Sequence, residues 1–444
     1  MGKSHQLSWR CYPSIKNCMS LLSKDKSIAL YAALVSFGTY VFIFGFRKSF
    51  TVCTFDGLSF GPIAFKTALV ISQMLGYLLA KFYGIKFISG LQKVNRYKII
   101  FLLTGISWLA WLLFAVVPAP YNVMFLFLNG FPLGMLWGVV FSYVEGRKST
   151  DFIGAALAVS FIFSSGWVKS VGAWLMEQYH ITEFWVPFFT GLVFAVPLII
   201  CVYGLEKVPP PSAEDEALRT KRIPMTALDR KQLIKQYLPG IIAFVAIYLF
   251  ATIFRDIRDN FSADMWKEMG YGSKPAIFTQ TEIPITIFIL VIIGAVVLIK
   301  NSFKALMVAH VFILLGFILA GVSTYYFTQQ LLDPFWWMIW VGLGLYLVYI
   351  PFNSIFFDRL IAAFSMKGNA GFFIYVADAV GYLGSVSVML MKEGMSLQIK
   401  WTQFFSQSVM ILSFVGVWFL VSVSGWILLR VVGWSNHSSR CKIR

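Results

Sequence analysis

Apolar runs of about twenty residues recur from one end of the chain to the other, separated by short polar turns. A helix rises about 1.5 Å per residue, so each run is long enough to cross roughly 30 Å of hydrocarbon. The pattern predicts twelve spans, near 27–50, 62–88, 98–118, 121–144, 151–176, 184–204, 237–257, 280–300, 303–327, 333–357, 368–391 and 403–432. Helices are expected because each satisfies its backbone groups within its own segment, which lipid cannot do for it. The longest polar stretch, "EKVPPPSAEDEALRTKRIPMTALDRKQLIKQ", falls between the sixth and seventh runs. Its triple proline and mixed charges divide the runs into two sets of six. The expected organisation is a segment 1–26, a six-helix bundle 27–204, a connector 205–236, a second bundle 237–432 and a basic tail 433–444. The fold class is therefore read as an all-α membrane protein of two pseudo-symmetric six-helix bundles.

Composition agrees with this. The 444 residues are 58% hydrophobic and 13% charged, with a mean hydropathy of +0.74, whereas a water-soluble domain carries about 25% charged residues. The net charge of +17 does not point to nucleic acid, because the basic residues are spread over loops on one side. Those loops hold Lys3, Arg10, Lys16, Lys24 and Lys26, then Lys93, Arg96 and Lys98, then Arg147 and Lys148. Further along come Arg219, Lys221, Arg222, Arg230, Lys231 and Lys235, then Arg359, Lys367 and the tail "SSRCKIR". The opposite loops, "EQYHITE", "QQLLDP" and "MKEGMSLQIK", are short or more acidic. The bias places both termini and the connector in the cytoplasm, in a multi-pass protein of the plasma or inner membrane. No cleaved signal peptide is expected, since the basic start lacks an apolar core with a small-residue cleavage site. The five cysteines show no pairing or metal spacing and the four histidines are scattered, so no metal or other cofactor is expected. A Ser-His-Asp set and a nucleotide-binding glycine loop are both lacking, which argues against an enzyme.

Polar residues inside such runs are costly and usually face a cavity or a neighbouring helix. Lys66, Gln73, Tyr77 and Lys81 share one face of the second run; Tyr346, Tyr349 and Asn353 share one of the tenth. Tyr375, Asp378 and Tyr382 mark the eleventh run and Ser160 and Ser164 the fifth. Each stripe fits either a cavity lining or plain hydrogen bonding between helices. Gly130, Gly134 and Gly138 form a small-residue ridge that reads as close packing. Pro132 and Pro351 suggest matching irregularities in the two sets.

Two arginines stand out. Arg47 lies roughly 28 Å along the first helix, near the outer boundary, where it either snorkels or, if "SFTVCTF" continues the helix, sits deeper. Arg255 holds the equivalent place in the seventh run, Phe254-Arg255 matching Phe46-Arg47. Repeat symmetry sets the pair across a central cavity, and guanidinium groups suit bidentate capture of phosphate or carboxylate. Asp259, one turn on, is a local partner for Arg255, and Asp256 with Arg258 completes a cluster that fits a solvated helix end equally well.

Five motifs stand in order along the chain: "RKSF" at 47–50, "LLAKFYG" at 78–84, "PLGMLWG" at 132–138, "FRDIRDNFSADMWKE" from Phe254 and "GNAGFFIYVADAVGYLGS" from Gly368. Together they resemble those of the organophosphate:phosphate antiporters of the major facilitator superfamily. The resemblance implies that Arg47, Arg255 and Lys81 hold a substrate phosphate, that Tyr349 and Tyr382 line the site, and that the two halves rock in alternating access. The chain departs from that family where its helix-5 histidine falls on Phe163, where Asp378 replaces a glycine, and where the loop motif after Gly84 lacks its acid. "FRKSF" with "KTALVISQMLGYLLAKFYGIK" also resembles an uncharacterised membrane family of the superfamily. The expected function is secondary transport of a small organic anion, phosphorylated or carboxylated, by a monomer. Asp378 is then a proton carrier or a charge partner for Lys169 or Lys81. A non-transporting sensor, a flippase for lipid-linked anions and an intramembrane enzyme are the rival readings.

Overall fold

The computed structural model describes residues 15–89, 95–147, 149–212, 215, 227–272, 274–363, 370–394 and 399–440. The start of the chain, most of the connector, and residues such as Lys93, Lys148, Lys367 and Gly368 lie outside these, and with them part of the charge and motif reading.

Among the described residues the long helices are α1 (Ile15–Lys48), α2 (Phe65–Ser89), α3 (Arg96–Val116), α4 (Met124–Phe141), α5 (Thr150–Tyr179) and α6 (Val186–Glu206). They continue as α7 (Ala227–Glu268), α8 (Ile277–Val297), α9 (Ser302–Thr328), α10 (Pro334–Ala363), α11 (Ala370–Gly394) and α12 (Trp401–Arg440). Ten of these helices are long and apolar enough to cross a membrane, which makes the chain a multi-pass membrane protein. α2 and α11 fall outside that set, consistent with the polar content of Lys66, Gln73 and Lys81 in one and Asp378, Lys392 and Glu393 in the other.

The sequence sets the helix starts where polar side chains cap them. Asn301 accepts from the Lys304 amide at 2.9 Å ahead of α9, and Asp333 accepts from the Phe335 amide at 2.8 Å ahead of α10, whose first residue is Pro334. Several boundaries differ from the hydropathy reading. α1 and α7 begin earlier than expected, α12 runs into the expected tail, and α7 continues eleven residues past 257 to Glu268. Hydropathy stops at the charges of "RDIRDN", but buried partners allow the helix to go on through them.

α1, by contrast, does not continue as an α-helix through "SFTVCTF". It ends at Lys48 and passes into a buried 3-10 turn, Ser49–Val52. Its last carbonyls, which a helix cannot satisfy itself, are taken by side chains of neighbouring helices. Trp111 Nε1 and Asn129 Nδ2 donate to the Phe46 carbonyl at 2.6 and 3.0 Å, and Gln73 Nε2 donates to that of Arg47 at 2.7 Å. A two-stranded hairpin follows, pairing Ser59 with Ala64 and Phe60 with Ile63. Its Gly61 takes a φ of +60°, a region that favours glycine.

α2 packs on α4, α1 on α5 and α6, and α3 on α4; later in the chain α9 packs on α10 and α12, α7 on α11 and α12, and α8 on α10. α5 against α8 and α2 against α11 connect the earlier helices to the later ones. The ridge on α4 is a close approach: a Cβ on Gly130 would lie 2.3 Å from the Gln73 carbonyl oxygen, and one on Gly134 would lie 2.5 Å from Ala80 Cβ. Of the two prolines, Pro351 precedes a π turn over Phe352–Phe356 inside α10, whereas α4 runs unbroken through Pro132. The matching irregularity is therefore not observed. Proline removes one backbone donor, and the π turn is one way a helix absorbs that loss.

Candidate functional site

A cavity of about 80 Å³ lies between α1, α2, α7, α10 and α11. Arg47, Lys81, Arg255, Tyr349, Asp378 and Tyr382 all line it, although they come from five different helices. Tyr40, Tyr77, Phe161 and Trp137 complete an aromatic wall.

Each arginine lies on a tyrosine ring. The Arg47 guanidinium stands 4.0 Å from the centre of Tyr77, with Phe44 at 5.3 Å, and that of Arg255 stands 4.2 Å from the centre of Tyr349. Their charges are balanced differently. Arg255 is bound to its chain neighbour Asp256, with Nη2 2.5 Å and Nε 3.1 Å from Oδ1. The other Asp256 oxygen accepts from Ser385 Oγ at 2.8 Å. Arg47 has Lys48 in the corresponding place. Among the described residues no carboxylate lies within 4 Å of Arg47, and its buried Nε has no hydrogen-bond partner.

Lys81 faces Asp378 across the cavity at 3.0 Å. Asp378 also accepts the Tyr248 hydroxyl, which takes a bond from Asn353 Nδ2 at 3.1 Å. Lys169 is not the partner of Asp378. It lies 2.9 Å from Asp259 and 2.9 Å from Ser165 Oγ, and Lys48 reaches the same carboxylate at 3.4 Å. Asp259 is consequently no partner for Arg255. The charges of "RDIRDN" do not form a solvated helix end: Asp256, Arg258 and Asn260 are buried, and Arg258 binds Glu282 at 2.6 Å and the Met338 carbonyl at 3.0 Å. Ion pairs this enclosed hold because each charge meets both an opposite charge and hydrogen bonds.

A second set of contacts joins the two parts of the chain where α1 and α7 finish. Lys48 donates to Asn260 Oδ1 at 2.5 Å, and Lys66 lies 2.6 Å from Asp264. Glu393 accepts from Thr67 Oγ1 at 2.9 Å and from the Ala64 amide at 3.1 Å. Lys267 pairs with Asp56 in the loop before the hairpin and holds its carboxyl below the usual carboxylate range.

The polar stripe of α2 thus divides by depth. Lys66 and Gln73 serve contacts near the end of α1, and Tyr77 and Lys81 face the cavity. Ser160 and Ser164 bond back to carbonyls of their own helix. Sequence reasoning missed Tyr40, Tyr248 and the Lys48–Asp259–Lys169 cluster. One signal for the tyrosines was present: Tyr40 precedes Arg47 by seven residues and Tyr248 precedes Arg255 by seven, two turns along the same helix face.

In fold, the chain is similar to a solved nucleoside transporter, NupG, in a mutant form. The two share 14% identity at a TM-score of 0.59, over 88% of this chain and 99% of that one. The two chains therefore share a fold. No curated protein matches the sequence. The sequence model of a family of unknown function (DUF5690) matches residues 49–429, and the chain belongs to that family.

Proposed function

We propose that the protein is a secondary transporter of a small organic anion, a phosphorylated or carboxylated metabolite, working by alternating access. The observation that carries this reading is the state of Arg47: a half-buried arginine that lines the cavity, its buried Nε without a hydrogen-bond partner and, among the described residues, with no carboxylate within 4 Å. The surroundings strengthen it. The lining carries three cations, Arg47, Lys81 and Arg255, against three carboxylates, Asp256, Asp259 and Asp378, and Lys48 and Lys169, which both pair with Asp259 from behind the lining, leave the surroundings with an excess of positive charge. A cationic, aromatic-walled chamber favours an anion, and a guanidinium with free donors favours one with paired oxygens.

In this reading twelve helices span the membrane, 27–204 and 237–432 form two halves, and the anion lies between them against Arg47, Lys81 and Arg255, with Tyr349 and Tyr382 as walls. The connector and both termini face the cytoplasm, and a monomer suffices. The contacts around Lys66, Lys267 and Glu393 then lie on the outer side, which supports a state closed to the outside. Anion binding lowers the cost of bringing the cations together in a dry chamber, and so favours the passage between states. The resemblance to organophosphate:phosphate antiporters supports the phosphorylated class and exchange against a second anion.

The test is uptake of labelled glycerol 3-phosphate, inorganic phosphate and malate into liposomes holding the purified protein. Uptake of at least one is expected, with a loss of about tenfold or more in Arg47→Ala, the scale of a lost charged hydrogen bond. Normal uptake by Arg47→Ala removes the proposal.

A further inference from the structure

We propose that Asp378 is a proton-binding site coupled to the anion site through Lys81, so that each anion is carried together with a proton. This rests on the anion reading above and adds the coupling ion to it.

Asp378 is 5% exposed and lies about a third of the way along α11. Lys81 of α2 is 3.0 Å from Oδ2, and Tyr248 of α7 donates to Oδ1. The groups facing this carboxylate are Lys81 and Tyr77 from α2, Tyr248 and Arg255 from α7, Tyr349 and Asn353 from α10, and Tyr382 one turn on. Arg255 is already bound to Asp256. Among the described residues Lys81 is therefore the cation that balances Asp378.

Lys81 is also the cation best placed to leave. Its ammonium stands 5.8 Å from the centre of the Tyr77 ring, the ring on which the Arg47 guanidinium rests at 4.0 Å. An anion seated on Arg47 is thus offered Lys81 from the same ring, at the end of a flexible four-carbon stem. Drawn to the anion, Lys81 leaves Asp378 with tyrosine hydroxyls and Asn353. A buried carboxylate without its cation is costly, and taking up a proton removes that cost. The proton comes from water entering the cavity and binds a carboxylate oxygen of Asp378. When the anion departs, Lys81 returns and the proton is released to water. Arg47 and Lys81 then face the anion while Asp378 is neutral, so the loaded chamber closes without an unpaired charge.

Two measurements test this. In the ligand-free protein, Lys81→Gln is expected to show a protonated-carboxyl infrared band at neutral pH. The band should be absent from the unaltered protein and from the double variant with Asp378→Asn. Its absence from Lys81→Gln overturns the proposal. In liposomes with the membrane potential clamped, an acid-outside gradient is expected to speed uptake of glycerol 3-phosphate or malate and to acidify the lumen. Asp378→Asn is expected to lose that stimulation whatever exchange it retains. Uptake of either probe that ignores the gradient in the unaltered protein also overturns the proposal. If neither probe enters, the anion reading fails for them, and the infrared result still decides the proton site.

Discussion

Lys66 of α2 and Asp264 of α7 face each other at 2.6 Å, with Lys66 also donating to the Thr51 carbonyl at 3.0 Å. This pair ties early and late helices together beside the α1–α2 hairpin. Removing both charges, in Lys66→Ala with Asp264→Ala, loosens that end without stranding either one. A loss of about 1 kcal/mol shifts a two-state balance by roughly fivefold. Spin labels at the exposed Leu58 and Leu331 should report a longer, broader separation in the double variant. An unchanged distribution would mean that the pair does not hold this end closed.

Asp259 is the carboxylate shared by Lys48 and Lys169. Asp259→Asn leaves two buried ammonium groups without their anion, a change that costs about 3–5 kcal/mol when one member of a buried pair is lost. Thermal unfolding in detergent should shift down by several degrees. Adding Lys169→Met should recover part of the loss, since Lys48 keeps Asn260. No recovery would show that the cluster is not held by charge balance.

Asp256→Asn releases Arg255 from its 2.5 Å partner. The ligand-free protein should be less stable, and the thermal shift produced by glycerol 3-phosphate or malate should exceed that of the unaltered protein. An arginine freed to bind an anionic oxygen contributes about 1.5–3 kcal/mol, or roughly tenfold or more in affinity. An equal or smaller ligand-induced shift would place the anion away from Arg255.

Gly130→Val places a side chain where even a Cβ lies 2.3 Å from the Gln73 carbonyl oxygen. Backbone cannot swing aside as a flexible side chain does, so α2 and α4 must separate. Overpacking of this kind costs about 1–3 kcal/mol. Lower yield and a lower melting midpoint are expected, whereas Gly105→Val, with open space around its Cβ, should be close to neutral. Equal effects at the two sites would refute the close-packing account.

Most of the helices were legible because hydropathy is a sum over neighbours in sequence. The errors fall where that sum misleads. Residues 258–268 fall past the expected span because they are charged, yet they continue α7, since Asp256, Arg258 and Asp264 each find an oppositely charged partner. "SFTVCTF" is apolar enough to continue α1, an alternative that the sequence leaves open, yet it turns, since Trp111, Asn129 and Gln73 satisfy the last carbonyls of α1. In the candidate site, Arg47, Lys81, Arg255 and Asp378 stand out as charges within apolar runs. Lys48 and Lys169 gave no hint that both would turn to Asp259.

What the sequence alone determined is local: a chain too apolar to fold in water, helices of membrane length, and a few charges and tyrosines at recurring helical spacing. Only the tertiary structure decided the pairing. It gave Asp378 to Lys81, Asp259 to Lys48 and Lys169, and, among the described residues, no carboxylate to Arg47. The physical reason is reach. Burial follows from the residues on either side of a position, but a salt bridge needs two side chains within a few ångströms, and here most partners lie ninety or more residues apart.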